Sequence, residues 1–294
     1  MSALPLLPLL PELPTLPAPV QSIDPPETAH RFGAELVGIL HAAAGPARHE
    51  TALILLNAGM VHRIGPHRGS VELARAVAGA GYPVFRYDQS GLGDSPMSAQ
   101  ASAQRRHLEI ASAMALVTSR TAATRFVVGG ICSAADEAFH LACIEPRIHG
   151  LLLLDGLAYR TAGYWWRHLA SRVFSPVKWA NWWRSRRDGT PGMENYRDWP
   201  PRRQAMTTLN TLLARDVRFL FVFTGGAYRY FNHAGQLAAC LGKAVRSVQV
   251  SLAFWRDCDH TFYLQRDRAQ LHALVASWMD REFGMTREHA ETGR

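Results

Sequence analysis

The residues of this chain with the clearest chemical capacity surround Cys132. The run Arg125-Phe126-Val127-Val128-Gly129 reads as a strand, Gly130-Ile131-Cys132-Ser133-Ala134 as a turn, and the residues after it as a helix. A nucleophile carried on so tight a strand-to-helix turn needs small residues two positions before and two after it, because the turn brings backbones into contact. Gly130 and Ala134 meet that need around Cys132. Ser133 does not qualify, since the bulky Ile131 stands two residues before it. The positive end of the helix macrodipole favours the thiolate, the form of cysteine that attacks. Packing as a small buried hydrophobe is the competing use of such a cysteine.

A nucleophilic thiol needs a base, and His260 is placed to supply one. It lies in Trp255-Arg256-Asp257-Cys258-Asp259-His260-Thr261-Phe262, the loop after the last strand pattern, and imidazole titrates near neutrality. Cys258 and Asp259 read as its structural neighbours. The oxyanion formed by attack on a carbonyl calls for backbone N–H donors, one after the nucleophile and one after an earlier strand. These fall at Ser133 and, by position in Asn57-Ala58-Gly59-Met60-Val61, at Met60. His62, Arg63, His67 and Arg68 follow, able either to bind a substrate carboxylate or phosphate or to pin their loop through hydrogen bonds.

These groups must be positioned by the elements around them. From residue 32 onward short apolar runs alternate with longer helical patterns, the order of a parallel sheet with crossover helices in one α/β domain. Strands are expected at Phe32–His41 (a strand or hairpin), Thr51–Asn57, Pro83–Tyr87, Arg125–Gly129, Ile148–Leu154, Val217–Thr224 and Ser247–Phe254. Helices are expected at Arg68–Ala80, Ser98–Arg120, Ala134–Ile144, near Asn232–Leu241, and at Arg268–Phe283. The core then comprises residues 29–156 and 214–285, preceded by a Pro/Leu-rich arm over 1–28 and followed by a tail over 286–294.

Residues 157–213 interrupt the alternation. They carry Trp165, Trp166, Trp179, Trp182, Trp183 and Trp199 among Arg160, Arg167, Arg172, Lys178, Arg184, Arg186, Arg187, Arg197, Arg202 and Arg203, opposed by Asp188, Glu194 and Asp198. Much of the net charge of +8 therefore resides in this one insertion. Placed as a lid above the nucleophile, Trp165 and Trp166 would contact an apolar acyl chain, while the cations would attract a phosphate-bearing carrier such as coenzyme A or an acyl carrier protein. A helical cap with a tryptophan core and a solvated basic face is the plainer reading, and an aromatic, basic lid also suits contact with anionic lipid. No recognised nucleic-acid module accompanies the charge.

Cys132, Cys143, Cys240 and Cys258 are widely spaced, with no CxxC pair and no metal-like cluster, so reduced thiols and a cytoplasmic setting are expected, with neither disulfides nor a metal. The glycines of Asp88–Ser95 are wrongly spaced for a phosphate cradle, and no cofactor is implied. The N-terminal Leu and Pro residues lack a basic leader, and the prolines would break an apolar helix, so residues 1–28 read as an extended arm. No stretch has the roughly 18 uninterrupted apolar residues of a membrane span.

Several of these runs, taken together, resemble a known group. They are Gly38-Ile39-Leu40-His41, Asn57-Ala58-Gly59, His62-Arg63, Gly65-Pro66-His67-Arg68, Tyr87-Asp88-Gln89-Ser90-Gly91-Leu92-Gly93-Asp94-Ser95 and Asp259-His260-Thr261-Phe262. They look like the α/β-hydrolases of the serine-aminopeptidase-like superfamily, and within it most like the exosortase-system-associated hydrolases. The similarity spans residues 30–283 and leaves out the arm. It implies an α/β-hydrolase fold, with a mostly parallel central sheet flanked by helices and a helical lid insertion, and it implies acyl or ester chemistry.

The chain departs from that group's pattern twice. Cysteine replaces serine at position 132, as in dienelactone hydrolases and some thioesterases. The turn after strand Val217–Thr224, where such families place the triad carboxylate, reads Thr224-Gly225-Gly226-Ala227-Tyr228, with Ala227 in the acid's place. Some members of the fold take the acid from the end of the strand after the nucleophile's helix, which makes Asp155 the candidate third member; a loop-fixing or helix-capping aspartate is its other reading. A thiol needs less base assistance than a serine hydroxyl, so a Cys-His pair could act without Asp155. Transfer from thioester to acyl-cysteine is nearly isoenergetic, which favours thioesters and activated esters over peptides. Three functional classes stay open: a hydrolase of such substrates, an acyltransferase or cyclase using the same acyl-Cys132, and a non-catalytic binding protein derived from a hydrolase.

Overall fold

The computed structural model describes residues 26–45, 50–173, 197 and 199–284. Nearly all of the Pro/Leu-rich arm, the C-terminal tail and the middle of the insertion with Trp179, Trp182 and Trp183 lie outside the described residues.

An eight-stranded sheet forms the centre, in the order β1-β2-β4-β3-β5-β6-β7-β8. Its strands are β1 (Glu27–Phe32), β2 (Leu36–His41), β3 (Thr51–Leu55), β4 (Val84–Tyr87), β5 (Arg125–Ile131), β6 (Ile148–Leu154), β7 (Arg218–Thr224) and β8 (Val250–Trp255). The hairpin β1–β2 joins β4 antiparallel; all pairings from β4 across to β8 are parallel. Parallel strands are covered on both faces, so their sequences are continuously apolar, as Leu151-Leu152-Leu153-Leu154 illustrates. Alternation splits that run, with Leu151 and Leu153 facing one layer and Leu152 and Leu154 the other.

One layer holds α1 (Gly69–Gly79) and the C-terminal helix, whose Leu73, Val77, Val275, Trp278 and Met279 pack on the sheet. The opposite layer holds α2 (Ser102–Arg120) and α3 (Ser133–Ile144), through Ile110, Met114, Ala135 and Phe139. Among the described residues the insertion contributes α4 (Ala162–Val173) and α5 (Arg202–Ala214). The short α6 (Gln236–Leu241) and the long α7 (Gln265–Phe283), the C-terminal helix just named, follow.

Two expected boundaries move. Strand β1 begins at Glu27, inside the stretch assigned to the arm, and the Glu27 carboxylate anchors it by accepting from Arg75 at 2.6 Å. The lid boundary at 213 also fails, because Ala205, Leu209 and Leu212 of α5 are buried in the core. A parallel β6-to-β7 connection needs a crossover element over the sheet, and α5 is that element. Residues 202–213 therefore belong to the core layer.

Candidate active site

The end of β5 turns so sharply into α3 that Cys132 adopts φ 60° and ψ −120°, a conformation an L-residue holds only when its surroundings impose it. The need for small flanking residues is visible in the contacts. A Cβ on Gly130 would stand 2.7 Å from the Ala134 Cβ and 3.1 Å from the Leu56 carbonyl oxygen. The Cys132 N–H donates to Leu154 O at 2.8 Å, tying the turn to the neighbouring strand.

His260 reaches the thiol from the loop after β8. Asp259 shapes that loop, accepting from Thr261 N at 2.8 Å, Thr261 Oγ1 at 2.6 Å and Tyr263 N at 2.8 Å. The turn after β7 presses against it, and a Cβ on Gly226 would lie 2.5 Å from both the His260 Cβ and its backbone nitrogen. Ala227, in the place where an acid is usual, is wholly buried.

The carboxylate beside His260 is that of Asp155, which follows β6 with φ 47° and no solvent exposure. Its Oδ2 lies 2.7 Å from His260 Nδ1. Thr224 donates twice more to it, N–H to Oδ1 at 2.7 Å and Oγ1 to Oδ2 at 2.6 Å. Thr224 was not singled out from the sequence; only its position at the end of the strand beside β6 makes it a partner. A carboxylate only accepts, so Nδ1 carries the proton and Nε2 is left for the Cys132 thiol, with which His260 interacts.

Burial opposes charge on both partners, yet their interactions prevail. The imidazole is raised from its ordinary 6.5 to about 9, against desolvation, by its hydrogen bonds to Asp155 and Cys132. The thiol is pushed up by burial, but the His260 hydrogen bond, the charge of Arg197 and the Ser133 backbone N–H bring it below its ordinary value. Burial instead raises Cys143, Cys240 and Cys258, the last to about 12. Of the four cysteines, Cys132 is the one whose thiol is held below its ordinary value.

The order of sheet and helices and this three-residue constellation invite comparison with solved structures. An esterase of Pyrococcus furiosus superposes with a TM-score of 0.60 over 88% of this chain and 92% of that one, at 12% identity. A dienelactone hydrolase from Anabaena variabilis gives 0.51 over 88% and 99%, at 13% identity. The esterase domain of a Rhodothermus marinus protein gives 0.51 over 87% and 98%, at 14% identity. The chain has the α/β-hydrolase fold. No protein-family model and no curated protein matches the sequence.

Two amides bear on the expected oxyanion donors. Ser133 N–H faces the Cys132 sulfur. The amide brought against the turn from the β3 loop is that of Gly59, whose N–H donates to Ser133 Oγ at 2.7 Å, while Met60 one residue on is 86% exposed. Gly59 has φ 55°, a left-handed backbone conformation that favours glycine.

His62 and Arg63 do not present a free cationic site. Arg63 Nη1 contacts the buried Asp88 carboxylate and lies 2.8 Å from Asp94, and its backbone N–H donates to Asp88 Oδ1 at 2.6 Å. His62 Nε2 is 3.4 Å from Asp88 and 3.5 Å from Asp94. Both therefore pin the Asp88–Ser95 loop, the second of the two uses their types allowed. His62, Asp88 and Asp94 also place possible ligand atoms within 4.8 Å of one another, but the Arg63 guanidinium already supplies the cation there.

Trp165 and Trp166 lie on α4, largely exposed, with Arg160 over the Trp165 ring at 5.6 Å. Helix α4 is fastened beside the turn after β7, through Tyr164 Oη to Arg229 O at 2.6 Å and Arg167 Nε to Asn232 Oδ1 at 2.9 Å. Met60, Met97, Tyr228 and Tyr263, all exposed, lie in the loops after β3, β4, β7 and β8. These segments follow the carboxyl ends of the parallel strands, the same edge that carries Cys132, Asp155 and His260. Exposed apolar side chains thus form a rim on the edge of the sheet that carries the site.

Proposed function

We propose that the protein is a hydrolase that cleaves thioesters or activated esters through an acyl-cysteine intermediate. The observation that carries this reading is the Cys132–His260–Asp155 line, with the imidazolium and thiolate both favoured. The thiolate attacks the carbonyl carbon, and the oxyanion is met by the Ser133 N–H and by the Ser133 hydroxyl, which accepts from the Gly59 N–H and is free to donate onward. Collapse expels the thiol or alcohol, which takes its proton from His260 Nε2. His260, now neutral, removes a proton from water as it attacks the acyl-enzyme, and Cys132 is released.

The apolar rim supports an apolar acyl group, and the basic insertion supports a carrier such as coenzyme A or an acyl carrier protein, or approach to an anionic lipid surface. Among the described residues no helix is long and apolar enough to cross a membrane. The unpaired state of all four cysteines fits a reducing, cytoplasmic setting. Kinship with the exosortase-system-associated hydrolases belongs to the same reading. The non-catalytic alternative drew on the missing acid at Ala227, and Asp155 beside His260 takes away that ground.

The test is turnover of an acyl-coenzyme A series and of p-nitrophenyl esters, with C132A as control. Acyl transfer onto Cys132, seen as an acyl mass increment, followed by release to water supports hydrolysis; release only when an amine or alcohol is added redirects the reading to an acyltransferase or cyclase. An enzyme that cleaves peptides and leaves thioesters untouched would contradict it.

A further inference from the structure

We propose that Arg197 is the positioning residue of this site, clasping the backbone behind the nucleophile and the backbone behind the acid in a single guanidinium. The proposal rests on the reading of Cys132 as nucleophile. In the sequence Arg197 was one cation among many in the insertion, and nothing local distinguished it.

Its contacts do. Nη2 donates to the carbonyl oxygen of Cys132 at 3.1 Å and to that of Asp155 at 2.9 Å, residues 65 and 42 positions away in the chain. The same fork grips Asp136 of α3, Nε to Oδ2 at 2.6 Å and Nη2 to Oδ1 at 2.8 Å. Nη1 donates to Tyr230 Oη at 2.9 Å, and Tyr230 Oη in turn donates to Asp155 O at 2.8 Å. The Trp199 and Tyr230 rings flank the guanidinium at 4.8 and 5.4 Å, and Trp199 Nε1 donates to Asp136 Oδ2 at 2.9 Å. The Arg197 side chain is 4% exposed.

The two carbonyls it holds belong to Cys132 and Asp155, both at positive φ where the chain leaves its strand. Such turns keep their shape only where neighbouring groups over-determine it. A planar fork with five donors can address Cys132, Asp155, Asp136 and Tyr230 together; the ammonium of lysine, a point charge with three donors, cannot. The buried guanidinium also acts on the sulfur with little solvent screening, which favours the thiolate. Arg197 therefore couples the insertion to the reactive turn.

The experiment follows alkylation of Cys132 by iodoacetamide across about pH 5 to 9 by peptide mass spectrometry, with thermal melts alongside. Two variants are compared with the wild type: R197K, and R197M combined with D136L, which removes both members of the buried pair so that neither charge is stranded. In the double variant the apparent thiol pKa is expected to rise about one unit, slowing alkylation at pH 6 about tenfold. R197K is expected to show a smaller rise in the same direction. A folded double variant with the wild-type pH profile overturns the proposal, as does a lower melting temperature with no change of profile. Should the double variant not fold, R197K decides on the same criterion. If wild-type Cys132 labels no faster than Cys143, the nucleophile reading falls and takes this proposal with it, whereas a reactive wild type with unshifted variants removes only the role of Arg197.

Discussion

Asp155 Oδ2 stands 2.7 Å from His260 Nδ1 across 105 residues of chain, and the carboxylate has no exposure to solvent. Asp155→Asn keeps the shape but presents an amide that can turn its donor to His260 and favour the wrong tautomer. Thioester turnover is expected to fall by roughly 10²–10⁴ in kcat, the range of general acid–base assistance, with KM little changed. Steady-state kinetics on the purified variant check this; a kcat within a factor of two of wild type would show that Cys132 and His260 suffice as a pair.

Restoring an acid at the usual place should fail. Ala227 is wholly buried in a packed turn, so Ala227→Asp puts a carboxylate among apolar neighbours. The expected result is a loss of about 3 kcal/mol in urea unfolding and no gain in rate. Combining it with Asp155→Asn should not recover turnover.

Gly226→Ala tests the seating of the histidine loop. The added methyl would meet the His260 Cβ and backbone nitrogen at 2.5 Å, and backbone cannot step aside as a flexible side chain can. Destabilisation of about 1–3 kcal/mol is expected, together with a drop in kcat that exceeds what the lost stability accounts for. Kinetics well below the melting temperature separate the two effects.

The pH dependence follows from the direction of both shifts. With the thiol lowered and those of Cys143 and Cys240 raised, alkylation of Cys132 should set in at lower pH than theirs and decline on the acid side as the thiolate is protonated. Turnover should decline above about pH 9 as His260 loses the proton needed by the leaving group. For stability the sign is that of a raised group: the His260 contribution is whole below its ordinary 6.5 and is lost as pH rises through about 9. The difference in unfolding free energy between wild type and His260→Gln should therefore shrink from pH 6 to pH 10. A difference that grows over that range would be contrary to the assigned charge pair.

What the sequence determined by itself are the features governed by short-range sterics and by chain order. The turn at Cys132 was legible because a methyl at Gly130 would collide with Ala134 only four residues away. His260 was legible because it follows the last strand, and the parallel sheet because buried strands are written as unbroken apolar runs. Tertiary structure alone decided how distant residues pair. Asp155 had two readings until β6 and β8 set it beside His260; Arg63 could have served a substrate until Asp88 and Asp94 claimed it; Arg197 had no distinguishing neighbour until it met Cys132, Asp155 and Asp136 at once. The Gly59 N–H meets Ser133 Oγ across 74 residues of chain, a contact that residue counting along the loop after β3 does not register. Hydrogen bonds between side chains and remote backbone depend on three-dimensional registration of strands, which no local pattern encodes.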